Sequence, residues 1–147
     1  MSILNSNARI GASQVAEDEG IKRSVRFNQA DSPKLARTPS SAGNQKTWSF
    51  SCWVKKCASS TKSALFSQST DGSNRFILHQ WYGLFYFYSN KSGASCDVGT
   101  TFRFIDHSDW YHVLFVFDTT QGTANDRTKI YVNGVEQTLT YNANPTQ

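Results

Sequence analysis

The sequence predicts an all-β protein, an antiparallel β-sandwich or jelly roll, and three observations carry that prediction. Apolar residues recur at period two, as between Thr47 and Lys55, where Trp48, Phe50, Cys52 and Val54 share one face and Ser49, Ser51, Trp53 and Lys55 the other. No helical i, i+3, i+4, i+7 apolar stripe persists over about ten residues anywhere in the chain. The dipeptide Asn133-Gly134 stands between β-branched and aromatic runs, the signature of a two-residue hairpin whose turn needs positive φ at both positions.

Taken in order, residues 1 to 23 hold Asn, Ser, Ala, Gly and the acidic Glu17-Asp18-Glu19 without a sustained apolar period, and read as an arm, either a frayed terminus or a segment that orders only when docked on a neighbouring subunit. Residues 24 to 147 read as the sandwich domain. Its first clear strand is Thr47 to Lys55. Arg75 to Tyr88 predicts a hairpin, with Arg75 to His79 and Leu84 to Tyr88 as strands and Gln80-Trp81-Tyr82-Gly83 as the connection. Trp110 to Asp118 follows the polar corner Asp106-His107-Ser108-Asp109, and Lys129 to Leu139 is the Asn-Gly hairpin. Short strands spaced by turns make two sheets whose inner faces share one core.

Composition narrows the function. At 147 residues the chain is one domain in size and buries enough surface to fold without a metal or disulfide staple. Aromatic residues reach 14% while charged residues are only 18%, a polar chain low in charge. The net charge of +4 comes from scattered Lys and Arg; Lys22-Arg23-x-x-Arg26 and Lys55-Lys56 are too small for a phosphate footprint, so no nucleic-acid partner is expected. The longest apolar run, Tyr111 to Phe117, is a strand's length, so no membrane insertion is expected either. The first residues show no leading basic cluster and no long apolar stretch, and no export signal is expected. Cys52, Cys57 and Cys96 form an odd set without CxxC spacing, which points to free thiols and away from zinc.

Trp48-Ser-Phe-Ser-Cys-Trp53-Val-Lys, Asp109-Trp-Tyr-His-Val113 leading to Phe117-Asp118-Thr-Thr, and Lys129-Ile-Tyr-Val-Asn-Gly-Val135 resemble the strand signatures of laminin G-like domains of the concanavalin A-like superfamily. The stretch Val25-Arg-Phe-Asn-x-x-Asp31-Ser-Pro-x-Leu35-x-Arg37-Thr-Pro-Ser-Ser-Ala-Gly43-Asn44 is similar to the version found in tail-fibre proteins of marine and cyanobacterial phages. This resemblance implies a concanavalin A-like sandwich within a virion, made in the host bacterial cytoplasm and joined to other virion proteins through the arm. It implies a homo-oligomer too, a trimer by the habit of such appendages, and a host-surface glycan as ligand. The sequence departs from relatives at Cys52, where they carry a small Gly or Ala, and after Tyr141-Asn-Ala-Asn-Pro-Thr-Gln147, where they continue with further strands that complete both sheets. An open sheet edge of that kind invites strand addition from a neighbour.

Catalysis is not expected. His79, His107 and His112 read as packing or hydrogen-bonding residues, and Glu17, Glu19 and Glu136 form no carboxylate pair of glycosidase type. Some relatives bind calcium through loop carboxylates, but Asp71, Asp97, Asp106, Asp109 and Asp126 show no D-x-D-x-D cluster and read as turn caps, so no cofactor is expected. The candidate glycan-binding residues are Trp53, Trp81 and Tyr82, because a pyranose stacks its C–H face on an aromatic ring. Trp53 stands on an otherwise polar strand face, and Trp81 and Tyr82 fall in the hairpin connection. The alternative is a capsid decoration or tail adaptor protein, whose aromatics bury against other virion proteins.

Overall fold

A computed structural model describes residues 25–55, 61–92, 94–143 and 145 of the chain. The expected arm, residues 1 to 23, lies outside the described residues, as does Cys57. The chain divides into two units, residues 1–40 and 41–147. In the described part of the first, the one regular element is a 3-10 turn, Gln29–Asp31. It is closed by Asn28, whose carbonyl accepts from the Asp31 N–H at 3.1 Å and whose amide donates to the Asp31 carboxylate at 2.9 Å.

All strands of the described residues belong to the second unit. In chain order they are β1 (Thr47–Val54), β2 (Ser63–Asp71), β3 (Asn74–Trp81), β4 (Leu84–Lys91), β5 (Ala94–Thr100), β6 (Tyr111–Asp118), β7 (Thr128–Val132), β8 (Val135–Glu136) and β9 (Leu139–Ala143). They form a four-stranded sheet of order β1-β6-β7-β8 and a five-stranded sheet of order β2-β3-β4-β5-β9, antiparallel throughout. The predicted sandwich is therefore the observed one. Among the described residues no helix is long and apolar enough to cross a membrane.

The alternation expected in β1 is the one observed. Trp48, Phe50, Cys52 and Val54 are half-buried, whereas Ser49, Ser51 and Trp53 are exposed. From the five-stranded sheet, Leu78, Phe85, Phe87 and Val98 enter the core; from the four-stranded sheet, Val113, Phe115, Ile130 and Val132 meet them. Burying a side chain of this kind stabilises the fold by about 1.5–3 kcal/mol, so this contact between the two faces dominates the energetics. Trp48 ties the layers together. Its ring stacks on Phe117 at 5.1 Å and lies tilted 5.1 Å from Phe76 and 5.8 Å from Phe87, distances at which aromatic pairs attract beyond simple burial.

Two turns set the hairpins. Asn133 and Gly134 take φ of 51° and 80°, as the Asn-Gly signal requires, and join β7 to β8. Tyr82 and Gly83 take φ of 49° and 78° and join β3 to β4. This second connection is shorter than the four residues expected from sequence: Gly83 accepts positive φ freely, and Tyr82 is held at a positive φ that bulky residues rarely adopt. Gln80 and Trp81 are thereby drawn into the ladder, paired with Phe85 and Leu84. The expected last hairpin also parts company with itself. After the short β8 the chain leaves the four-stranded sheet, and Leu139 pairs with Thr100 of the other.

Candidate functional site

The outer face of the five-stranded sheet holds Trp81, and the turn at its edge holds Tyr82. Because Leu78, Gln80, Phe85 and Phe87 point into the core, the alternate residues Ile77, His79, Trp81, Tyr86 and Tyr88 line the opposite surface. Trp81, the last residue of β3, is half-buried; Tyr82, in the turn, is 47% exposed, with its ring 5.1 Å from that of Trp81. Behind them the Tyr86 ring stands 6.4 Å from Trp81 and stacks on His79 at 5.2 Å, their planes 12° apart.

Beside this aromatic row lies a groove of about 340 Å³ lined by Tyr86, Gly99, Thr101, Arg103, Thr140 and Asn142 among others. Strand register explains it. Tyr86 of β4 pairs with Gly99 of β5, which pairs with Thr140 of β9, and the missing side chain at the glycine lets the Tyr86 ring lie over β5 as part of the floor. The loop after β5 forms one wall and is well tied. Thr100 Oγ1 accepts from the Phe85 N–H at 3.2 Å and donates to the Phe102 carbonyl at 3.1 Å. The Phe104 N–H donates to the Gly83 carbonyl at 2.7 Å. Arg103 donates from Nη1 to the Tyr82 carbonyl at 2.9 Å, so one guanidinium joins groove and aromatic turn.

This face is positively charged. Lys62 Nζ sits 4.5 Å from the centre of the Trp81 ring and the Arg75 guanidinium 5.3 Å from that of Tyr88, both in cation–π range. The carboxylate of Asp97 at the margin accepts from the Asn142 amide at 3.2 Å. Rings that offer a stacking surface therefore adjoin hydroxyl, amide and guanidinium groups that can bond a polyhydroxylated ligand.

The structure brings Trp81 and Tyr82 together and places Trp53 elsewhere. Trp53 lies on the outer face of the four-stranded sheet, 51% exposed, opposite His112 in the β1–β6 register. Of the residues around the groove, Tyr86 was within reach of sequence reasoning, since the alternation in Leu84 to Tyr88 opposes it to the buried Phe85 and Phe87. Thr101, Arg103, Thr140 and Asn142 gave no such signal, because neither β5 nor β9 announces itself as a strand.

Of the carboxylates expected in loops, Asp71 ends β2, Asp126 falls in a 3-10 turn, Ala124–Arg127, and Asp106 lies before β6. Asp71 accepts from the Asn74 side-chain amide at 3.0 Å and, at Oδ1, from the N–H groups of Ser73 and Asn74, each at 2.7 Å. Asp106 accepts from the Ser108 N–H at 2.8 Å and its hydroxyl at 2.6 Å. These donors hold both carboxyls below the ordinary carboxylate range. Asp97 lies in β5 and not in a loop. Among the described residues no three His, Cys, Asp or Glu side chains converge as a metal site.

Residues 28–146 match a laminin G-type family model described as the concanavalin A-like lectin/glucanases superfamily. No curated protein and no solved structure matches the chain. The two antiparallel sheets and the reach of that match over most of the chain agree with one another. The chain belongs to the concanavalin A-like lectin/glucanases superfamily.

Proposed function

We propose that the chain is a non-enzymatic saccharide-binding module of a bacteriophage appendage such as a tail fibre, contributing to attachment at the host surface. The observation that carries the binding half is the adjacency of Trp81, Tyr82 and Tyr86 to the groove containing Arg103 and Asn142. A pyranose stacked on the rings would have its hydroxyls within reach of polar groups already held in place, which lowers the ordering cost of binding. The virion half rests on the resemblance of residues 25 to 44 to phage tail-fibre proteins. Repetition of the module around a symmetric appendage would multiply a weak contact through effective concentration.

A non-catalytic role is favoured by the state of Glu136. It receives the Tyr131 hydroxyl at 3.0 Å and pairs with Lys129 at 3.4 Å, so it is occupied as a cross-strand partner and not poised beside a second carboxylate.

One observation favours the structural alternative, a capsid decoration or tail adaptor. Beside the Tyr82 turn, Phe102 and Ile105 are each 63% exposed, and such apolar surface suits contact with another virion protein or a second copy of the chain. Screening the full chain on an array of bacterial and algal glycans tests the first reading. Binding that falls at least ten-fold in Trp81→Ala is the expected result. An array without hits, together with self-association abolished by Phe102→Asp in light scattering, would establish the structural reading instead.

A further inference from the structure

The outer face of the four-stranded sheet holds a second arrangement that the Trp81 site does not use. Trp53 and His112 are directly opposite in register, their rings 5.2 Å apart and tilted by 43°. The His112 ring is fixed by a hydrogen bond of 2.7 Å between Nε2 and the Ser51 hydroxyl. Its backbone is fixed as well: the His112 N–H donates to Asn133 Oδ1 at 2.9 Å, and the Asn133 N–H donates to the His112 carbonyl at 2.8 Å. The Asn-Gly turn thus clamps the histidine on which the exposed tryptophan leans. From this ring the face runs along β6 for roughly 20 Å to a second hollow of about 430 Å³, whose lining includes Asp118, Gln121 and Lys129.

We infer that this face is a second saccharide-binding surface, independent of the first, so that one chain is bivalent and can bridge two polysaccharide strands. The inference rests on the saccharide-binding reading and extends it. A saccharide is the occupant that fits, because the exposed indole stands beside the Ser51 hydroxyl and the His112 imidazole, with the Gln121 amide, the Asp118 carboxylate and the Lys129 ammonium at the far end of the same face. A protein partner would call for a contiguous apolar patch, whereas Leu114 and Val116 between the two ends are half-buried and stand next to Ser51, Ser49 and Lys129 in the strand register. Independence follows from topology. Trp53 and Trp81 point outward from opposite layers of the sandwich, separated by the core, so no single sugar can touch both.

The side-chain indole N–H signals of Trp53 and Trp81 in two-dimensional nitrogen–proton spectra of the full chain test this directly, assigned by Trp→Phe substitution. The probes are soluble α-glucan, β-glucan, polyuronate and bacterial O-chain oligosaccharides. The expected result is that a probe shifts both signals, that Trp81→Ala abolishes binding at its own site but leaves the Trp53 shift, and that the parent polysaccharide is cross-linked into scattering particles by the wild type and not by Trp53→Ala. A probe that moves Trp81 alone would overturn the second surface while leaving the first reading intact. Movement of Trp53 alone would overturn bivalency, and stillness of both would overturn the two readings together.

Discussion

Gly99 lies directly beneath the ring of Tyr86: a Cβ built on Gly99 would stand 2.5 Å from the tyrosine Cε1 and 2.7 Å from Cδ1. The position demands glycine for space, since its φ is not in the left-handed region. The same contact shapes the groove floor.

Gly99→Ala is expected to push the Tyr86 ring off His79, narrow the groove and weaken saccharide binding at least five-fold. Overpacking of this kind costs about 1–3 kcal/mol. Urea denaturation of Gly99→Ala, Tyr86→Leu and the double variant checks the cause. If the clash is responsible, the alanine costs almost nothing once the ring is gone, and the cycle shows a coupling of similar size.

Cys96 is 2% exposed, and burial, followed by the neighbouring Asp97 charge, pushes its thiol up to about 12. Burial raises the half-buried Cys52 as well. Both are expected to resist iodoacetamide in the native protein at neutral pH and to react on addition of denaturant, because the thiolate is the nucleophile. Site-by-site peptide mass spectrometry reads the outcome.

Asp118 accepts from the Thr120 hydroxyl and N–H and from the Gln121 amide, which hold its carboxyl low, as Asp71 and Asp106 are held by their own turn donors. A folded-state pKa below the unfolded value gives stability that is complete above the ordinary value of 3.8 and is lost as pH falls through the depressed one. Thermal melts should therefore show a Tm that holds near neutrality and declines below about pH 4. The decline should be shallower in a variant carrying Asn at positions 71, 106 and 118.

Arg127 donates from Nε to the Gln121 carbonyl at 2.9 Å, from Nη2 to the Gly122 carbonyl at 3.2 Å and from Nη1 to the Pro145 carbonyl at 2.7 Å. One planar fork pins the loop after β6 and the segment after β9. Arg127→Lys keeps the charge but cannot reproduce the fork, so it should lose about 1.5–3 kcal/mol in denaturant titration, close to the loss in Arg127→Gln.

The strands that could be read from sequence are those that carry bulky residues in strict alternation. Trp48 to Val54 and Leu84 to Tyr88 declare their buried face in every second residue, and Asn133-Gly134 declares its turn. β2 stayed hidden because Ser67, Gln68, Ser69 and Thr70 are exposed on both faces of an edge strand. β5 contributes Cys96, Val98 and Thr100 inward, with small or acidic residues between them, a pattern too weak to stand out. The site was half legible for the same reason. Exposed rings stand out as residue types, but the polar groove beside them depends on cross-strand register, which brings Tyr86, Gly99 and Thr140 level from segments far apart in sequence.

The pairing of β1 with β6 sets Thr47 against Asp118, whereas β2, β3 and β4 each pair with their immediate successor. A chain emerging from the ribosome can zip that meander as it appears, but its Trp48 and Phe50 must remain without their layer until residues near 118 have been made. Closing so long an excursion is slow, and an aromatic strand left unpaired is adhesive in the wrong sense. Yield in the cell is expected to fall as the interval between translating the first strand and the sixth grows, and a co-expressed chaperone that shields apolar segments should raise it.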